Sequence, residues 1–437
     1  MNQPTLILTP RHPALLSGFD NQLDILVRLQ APPQIDKSQE RSPLNLAIVL
    51  DRSGSMSGRP LEEAKRCASF VIDRLGPKDR ASIVVYDNEV SLLVPSSEVT
   101  DKERFHAEIR RIDSGGMTNL HGGWLKGAEQ ASPYITNDTV SRVILLSDGQ
   151  ANEGLTDINS ITHQCSELAE AGVTTSTYGL GCDFNEELMI HMARAGQGNT
   201  YYGRTAEDLM DPFQEEFDLL SALYARQVLL SIASPEGMNS EVLNQLTRDA
   251  SGSYRLPDLA YEGEAWSVVR VTIPKSQAGD GNGTSLTNVM SVSATFTDLE
   301  GEVHEVKSEE LNLPSLTASA WNAVIEDELV ARRAAELEAA KLQDEAQVAA
   351  RRGDWREVRR LLAEARKNAG DNEWLTDVAD KLENLARKED EMMFSKETRY
   401  SSHRMRSRLA MRSEANSLSD AAPSYLRRKT EQGKSQR

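Results

Sequence analysis

Over the first thirty positions apolar and polar residues alternate. Leu6 and Leu8 are two apart, and Leu23, Ile25, Val27 and Leu29 share one face, which predicts two half-buried strands. A polar stretch, 36–43, separates them from a different pattern. Leu44 to Leu50 is continuously apolar and ends at Asp51, as expected of a strand buried on both faces of a parallel sheet. Leu61, Ala64, Ala68, Val71, Ile72 and Leu75 then recur at helical spacing, and Gly76-Pro77 ends that helix. The succession repeats. Strands are predicted over 81–87, 90–95, 141–149, 173–181 and 200–203. Helices are predicted over 101–112 (opened by Thr100 as N-cap), 120–134, 157–171, 185–195 and 206–223. Strands alternating with helices predict an α/β fold with a doubly wound, mostly parallel sheet.

Two-residue alternation returns after Tyr224, in 228–237, 253–259, 266–274, 289–298 and 302–313, which read as strands of an antiparallel β-sandwich. The strands before Asp36 have no parallel-sheet character, so they are expected to pair with these later ones. The domain plan is therefore an α/β domain, 43–223, inserted in a sandwich made of 1–42 and 224–316. A helical region, 317–395, is expected as three helices over 320–355, 355–370 and 373–393. Ala349, Trp355, Val358, Leu361, Leu362 and Ala365 resemble one degenerate tetratricopeptide-like pair, although a plain helical hairpin fits as well. The tail 396–437, rich in Ser, Arg and Lys, is expected to lack packed structure.

Charge narrows the partners. The 437 residues carry a formal net charge of −18. From Lys396 onward eleven Lys/Arg face four Asp/Glu, a surplus of +7, leaving about −25 on the rest. An acidic body with 5% aromatic residues argues against nucleic acid and anionic membranes as partners. Only the basic tail leaves room for RNA. No apolar run is long enough to span a bilayer, and the first residues lack a signal-peptide pattern. Cys67, Cys165 and Cys182 have neither metal-binding nor redox spacing, so reduced thiols in a cytoplasmic protein are expected.

Candidate chemistry lies in three loops. Asp51-Arg52-Ser53-Gly54-Ser55 places one carboxylate and two hydroxyls at alternate positions directly after a buried strand. Gly115-Gly116-Met117-Thr118-Asn119-Leu120 offers Thr118, and Ser147-Asp148-Gly149 offers Asp148. In a doubly wound sheet such loops meet at the carboxyl ends of the strands, where ligands bind. Neutral and anionic oxygens suit a hard cation. Asp183 is read as part of a helix N-cap region. His121 and His163 are read as packing or surface residues, and Arg352-Gly353-Asp354 as a helix–turn junction. Ser53 lacks a nucleophile-elbow context, and the chain has no G-x-x-x-x-G-K-[ST] loop.

Together, DRSGS, GGMTNL and LLSDG resemble the metal-ion-dependent adhesion site of von Willebrand factor A domains, over roughly 44–220. The resemblance implies that Ser53, Ser55 and Thr118 contact a metal, and that Asp51 and Asp148 act directly or through water. Mg²⁺ is the cofactor it implies, with Mn²⁺ or Ca²⁺ able to use the same oxygens. It also implies a partner protein that supplies an Asp or Glu, and no enzymatic activity. The run PLNLAIVLDRSGSMSGRPLEEAKRCASFVIDRL is similar to that of bacterial cytosolic A-domain proteins with flanking sandwich strands and C-terminal helices. An alternative role is accessory subunit of an AAA+ ATPase machine, as in chelatases. A metal-dependent hydrolase is disfavoured, since two-metal chemistry needs carboxylates for a second cation.

Overall fold

The computed structural model describes residues 3–34, 41–148, 151–180, 185–203, 206–370 and 372–407. Two compact units emerge: Asp36–Gln227 with Thr297–Glu302, and Met1–Ile35 with Val228–Phe296 and Val303–Arg437.

The first unit is a six-stranded sheet in the order Val90–Glu98, Arg80–Tyr86, Leu44–Asp51, Val140–Ser147, Val173–Leu180, Gln197–Gly203. Every pairing is parallel except that of the first two strands. The continuous apolar run of the Leu44–Asp51 strand serves two cores. Leu44, Leu46, Ile48 and Leu50 face one, with Leu61, Val71 and Ile72 from the helix Arg59–Arg74 and Leu209 and Phe213 from Ala206–Ser221. Ala47 and Val49 face the other, with Leu120 and Trp124 from the helix Leu120–Ala131. That helix packs so closely that a Cβ on Gly127 would lie 2.4 Å from Val49 Cγ2. Gly127→Ala is therefore expected to lower stability in urea unfolding by about 1–3 kcal/mol, the usual cost of overpacking. The helix Lys102–Arg110 is capped by Asp101, whose carboxylate accepts the Glu103 and Arg104 amides, and not by Thr100 as the sequence suggested.

In the second unit, a four-stranded sheet runs Thr5–Pro10, Asn21–Gln30, Glu264–Ile273, Asn239–Val242. The long central pairing, Asn21↔Ile273 to Gln30↔Glu264, joins strands that flank the α/β unit in sequence. The other sheet contains Leu223–Ala233, Asn282–Thr297 and Leu311–Leu316. It is not wholly antiparallel, because Leu311–Leu316 pairs in parallel with the short strand Leu15–Leu16.

The helical region departs most from expectation. Ala318–Trp321 is a single turn, and the long helix begins only at Glu328, where Asp327 accepts the Val330 amide. Its apolar face, Val330, Ala334 and Leu337, packs on Leu26, Trp266 and Val268 of the four-stranded sheet. The helix Glu328–Arg351 packs against Trp355–Ala369 and Glu391–Ser407, and Glu373–Lys388 packs against those same two. The result is a closed set of four helices, neither an isolated repeat pair nor a simple hairpin. The tail was expected to begin at Lys396, yet the last helix runs to Ser407, held by buried Phe394, Thr398, Ser402 and Met405. Residues 408–437 lie outside the described residues. Among the described residues, no helix is long and apolar enough to cross a membrane.

Candidate metal centre

The Leu44–Asp51 strand leads to Arg80–Tyr86 on one side and to Val140–Ser147 on the other, so its carboxyl end is the switch point of the sheet. Register sets the neighbours of Asp51. Tyr86 pairs with Asp51 directly, and the Leu50↔Leu146 pair brings Ser147 alongside. Ser147 Oγ donates to Asp51 Oδ2 at 2.6 Å, and Tyr86 OH donates to the same oxygen at 3.4 Å. The Ser53 amide donates to Asp51 Oδ1 at 2.8 Å. Asp51 is fully buried, which raises its carboxyl pKa, while these hydroxyl and amide donors oppose the rise. None of these partners is cationic.

From Asp51 the oxygens continue outward. Ser53 Oγ lies 3.1 Å from Ser55 Oγ, and Ser55 Oγ donates to Asp148 Oδ1 at 3.0 Å. Ser53 and Asp148 are buried and Ser55 is exposed, so the set opens to solvent at Ser55. Four of the five candidate residues thus form one connected group.

Thr118, buried beside them in sequence loop 115–120, is fixed through its backbone. Its amide donates to Asn152 Oδ1 at 2.8 Å, and its carbonyl accepts the Asn152 and Glu153 amides, each at 3.2 Å. Two backbone bonds stitch this loop to the first. The Gly54 amide donates to the Gly116 carbonyl at 2.8 Å, and the Gly115 amide to the Arg52 carbonyl at 2.6 Å. The glycines are required by contact. A Cβ on Gly115 would sit 1.8 Å from Asp87 Oδ2, and one on Gly116 2.1 Å from Asn88 Oδ1.

Sequence reasoning did not single out Ser147 or Tyr86 as supports of Asp51, nor Arg52 and Asp87 beneath the second loop. Only strand register reveals the first pair, and only the folded loops reveal the second. His121 Nε2 bonds Gln164 Oε1 at 2.7 Å, and exposed His163 lies 3.4 Å from Glu167. Asp183 is outside the described residues, and the following helix is capped by Asn185. Gly353, at φ 72°, makes Arg352-Gly353-Asp354 a helix–turn junction, with Asp354 capping the next helix. Among the described residues, no three His, Cys, Asp or Glu side chains cluster as metal ligands. A cation at this rim would therefore depend on hydroxyls.

A mostly parallel sheet flanked by helices, with oxygen-bearing loops at its switch point, defines a doubly wound α/β domain. Residues 45–215 match the family described as von Willebrand factor type A domain, and the chain contains such a domain. Domains of this family are typically protein-interaction modules. An uncharacterized protein of Synechocystis sp. is 30% identical over 258 residues, 54% of this chain and 59% of the relative. Uncharacterized protein YfbK of Escherichia coli is 29% identical over 49% of this chain and 36% of its own length. The chain thus covers less than two thirds of either relative. Among solved structures, von Willebrand factor type A from Catenulispora acidiphila matches with a TM-score of 0.67 at 15% identity, over 92% of this chain and 96% of its own. The ArnB paralog VWA2 from Sulfolobus acidocaldarius matches with 0.57 at 20% identity, over 92% and 99%. These two share the fold across nearly the whole chain.

Proposed function

We propose that this protein docks partner proteins through a divalent cation held by Asp51, Ser53, Ser55, Thr118 and Asp148. The observation that carries the reading is the buried Asp51 carboxylate, which among the described residues accepts from neutral donors and is continuous through Ser53 and Ser55 to Asp148. Such hard oxygens suit Mg²⁺, and Mn²⁺ or Ca²⁺ as alternatives. When bound, the ion supplies positive charge that neutral hydroxyls do not cancel, open to an Asp or Glu of a partner. Asp51 orients the Ser53 amide, Asp148 orients the Ser55 hydroxyl, and the exposure of Ser55 keeps the outer side accessible. The reading is one of binding, in keeping with a family whose domains are generally interaction modules, with Ser53 Oγ directed at Ser55 Oγ.

Affinity purification of the full chain in Mg²⁺ or EDTA, beside Asp51→Ala, tests this. The expected result is a set of partners captured only by the unaltered chain in Mg²⁺. An ATPase within that set would make the chain an accessory subunit of that machine. A capture profile indifferent to both chelator and substitution would overturn the reading.

A further inference from the structure

Two charged side chains at the edge of the centre are not among its five candidate donors. Arg52 stands between Asp51 and Ser53 in the first loop, and Asp87 follows the Arg80–Tyr86 strand. Arg52 Nη2 lies 3.1 Å from Asp87 Oδ2, with the Asp87 side chain 7% exposed and that of Arg52 26%. Asp87 Oδ1 accepts the Glu89 amide at 2.7 Å, which holds the carboxylate in place from behind. Its carbonyl accepts the Asn119 amide at 2.8 Å, one residue from Thr118. The main chain of Arg52 is equally committed. Its amide donates to the Tyr86 carbonyl at 2.9 Å, and its carbonyl accepts the Gly115 amide. The Asp87 carboxylate also fills the space that a side chain at Gly115 would need.

We infer that the Arg52–Asp87 ion pair is the positioning element that sets the Thr118 loop against the DRSGS loop. This rests on the cation-binding reading above. Thr118 makes its described bonds through its backbone, so the place of its hydroxyl is inherited from the loop. The pair ties the first loop to Asp87, and the Thr118 loop in turn rests on Asp87 through the Asn119 amide and through Gly115, which abuts the carboxylate. It also cancels the Arg52 charge one residue away from both Asp51 and Ser53, where an unpaired guanidinium would repel a cation.

The test is Mg²⁺ titration calorimetry on the full chain, with thermal unfolding in EDTA recorded in parallel. Arg52→Met, Asp87→Asn and the double variant form a cycle. Each single substitution is expected to weaken Mg²⁺ binding about tenfold or more, and the double variant no more than the worse single, because the pair acts as a unit. Gly115→Ala approaches the same contact from the other loop and is expected to weaken binding similarly. It also serves as the second probe should Asp87→Asn fail to fold. Mg²⁺ affinities within twofold of the unaltered chain, with only the unfolding temperature lowered, would make the pair merely structural and overturn the inference. Additive losses in the cycle would also overturn it. An unaltered chain that binds no Mg²⁺ would remove the underlying reading itself, an outcome separate from both.

Discussion

Glu216→Ala is expected to destabilise the α/β unit by about 3–5 kcal/mol in urea unfolding, the usual cost of leaving a buried charge without its partner. Glu216, on the last helix of that unit, is 2% exposed and pairs with Arg142, itself 1% exposed. Its Oε1 also accepts Ser176 Oγ at 2.6 Å. Its Oε2 accepts Asn199 Nδ2 at 2.6 Å and Tyr201 OH at 2.9 Å. Removing the carboxylate takes the anionic partner from the Arg142 guanidinium, which keeps its bond to Thr174 Oγ1, and takes an acceptor from three further donors inside the core. Burial opposes ionisation of Glu216, but Arg142 and these donors outweigh it and hold the pKa below the ordinary 4.5. The sign follows: stability from the ionised group is fully present above the unfolded-state pKa and is lost as pH falls through the lower folded value. The gap between the unaltered chain and Glu216→Gln should thus be widest near neutrality and close in acid. A gap independent of pH would show that the carboxylate charge contributes nothing. Asp79 adds to the same acid sensitivity. It pairs with Arg41 and accepts the Leu44 and Gly76 amides, which hold its pKa low despite its burial.

Asp51→Ala is expected to abolish the stabilisation that Mg²⁺ gives the α/β unit. A ligand at one hundred times its Kd adds about 2.7 kcal/mol to the folded state. The unaltered chain should gain on that order at saturating Mg²⁺ in thermal unfolding, and the variant nothing. Asp51 has this weight because it is the innermost oxygen donor, bonded to the Ser53 amide and to Ser147. Its loss removes the anionic charge nearest to Ser53 and loosens the turn that presents the hydroxyl. Equal Mg²⁺-dependent shifts in both proteins would place the ion elsewhere.

The parallel sheet was legible because strands buried on both faces leave unbroken apolar runs, as in Leu44 to Leu50. Pairing of the first strands with later ones was legible from the alternation of Leu23, Ile25, Val27 and Leu29 in sequence, but the expected half-burial was not met: Asp24 and Leu26 are buried too, Leu26 beneath the helix Glu328–Arg351. The start of the long helix was not. Helix-forming residues run on from Ala318, but the break before Glu328 is imposed by tertiary bonds: the Asp327 amide to the Arg11 carbonyl at 2.8 Å, and Arg11 to Glu326 at 2.7 Å. The last helix was hidden for another reason. Between Phe394 and Met405 it buries Thr398 and Ser402, so hydrophobic periodicity carries little trace of it. Oxygen-bearing residues concentrated in three short loops made the candidate donors readable. Their supports were not, because Tyr86, Ser147 and Asp87 become neighbours of the centre only through register and loop packing.

Crystals of the full chain grown in Mn²⁺, with diffraction recorded for anomalous signal, address the central claim most directly. The expected result is one strong anomalous peak among the oxygens of Ser53, Ser55 and Thr118, with Asp51 and Asp148 alongside. Ordered loops with no peak between them, or a peak bound by other residues, would contradict it.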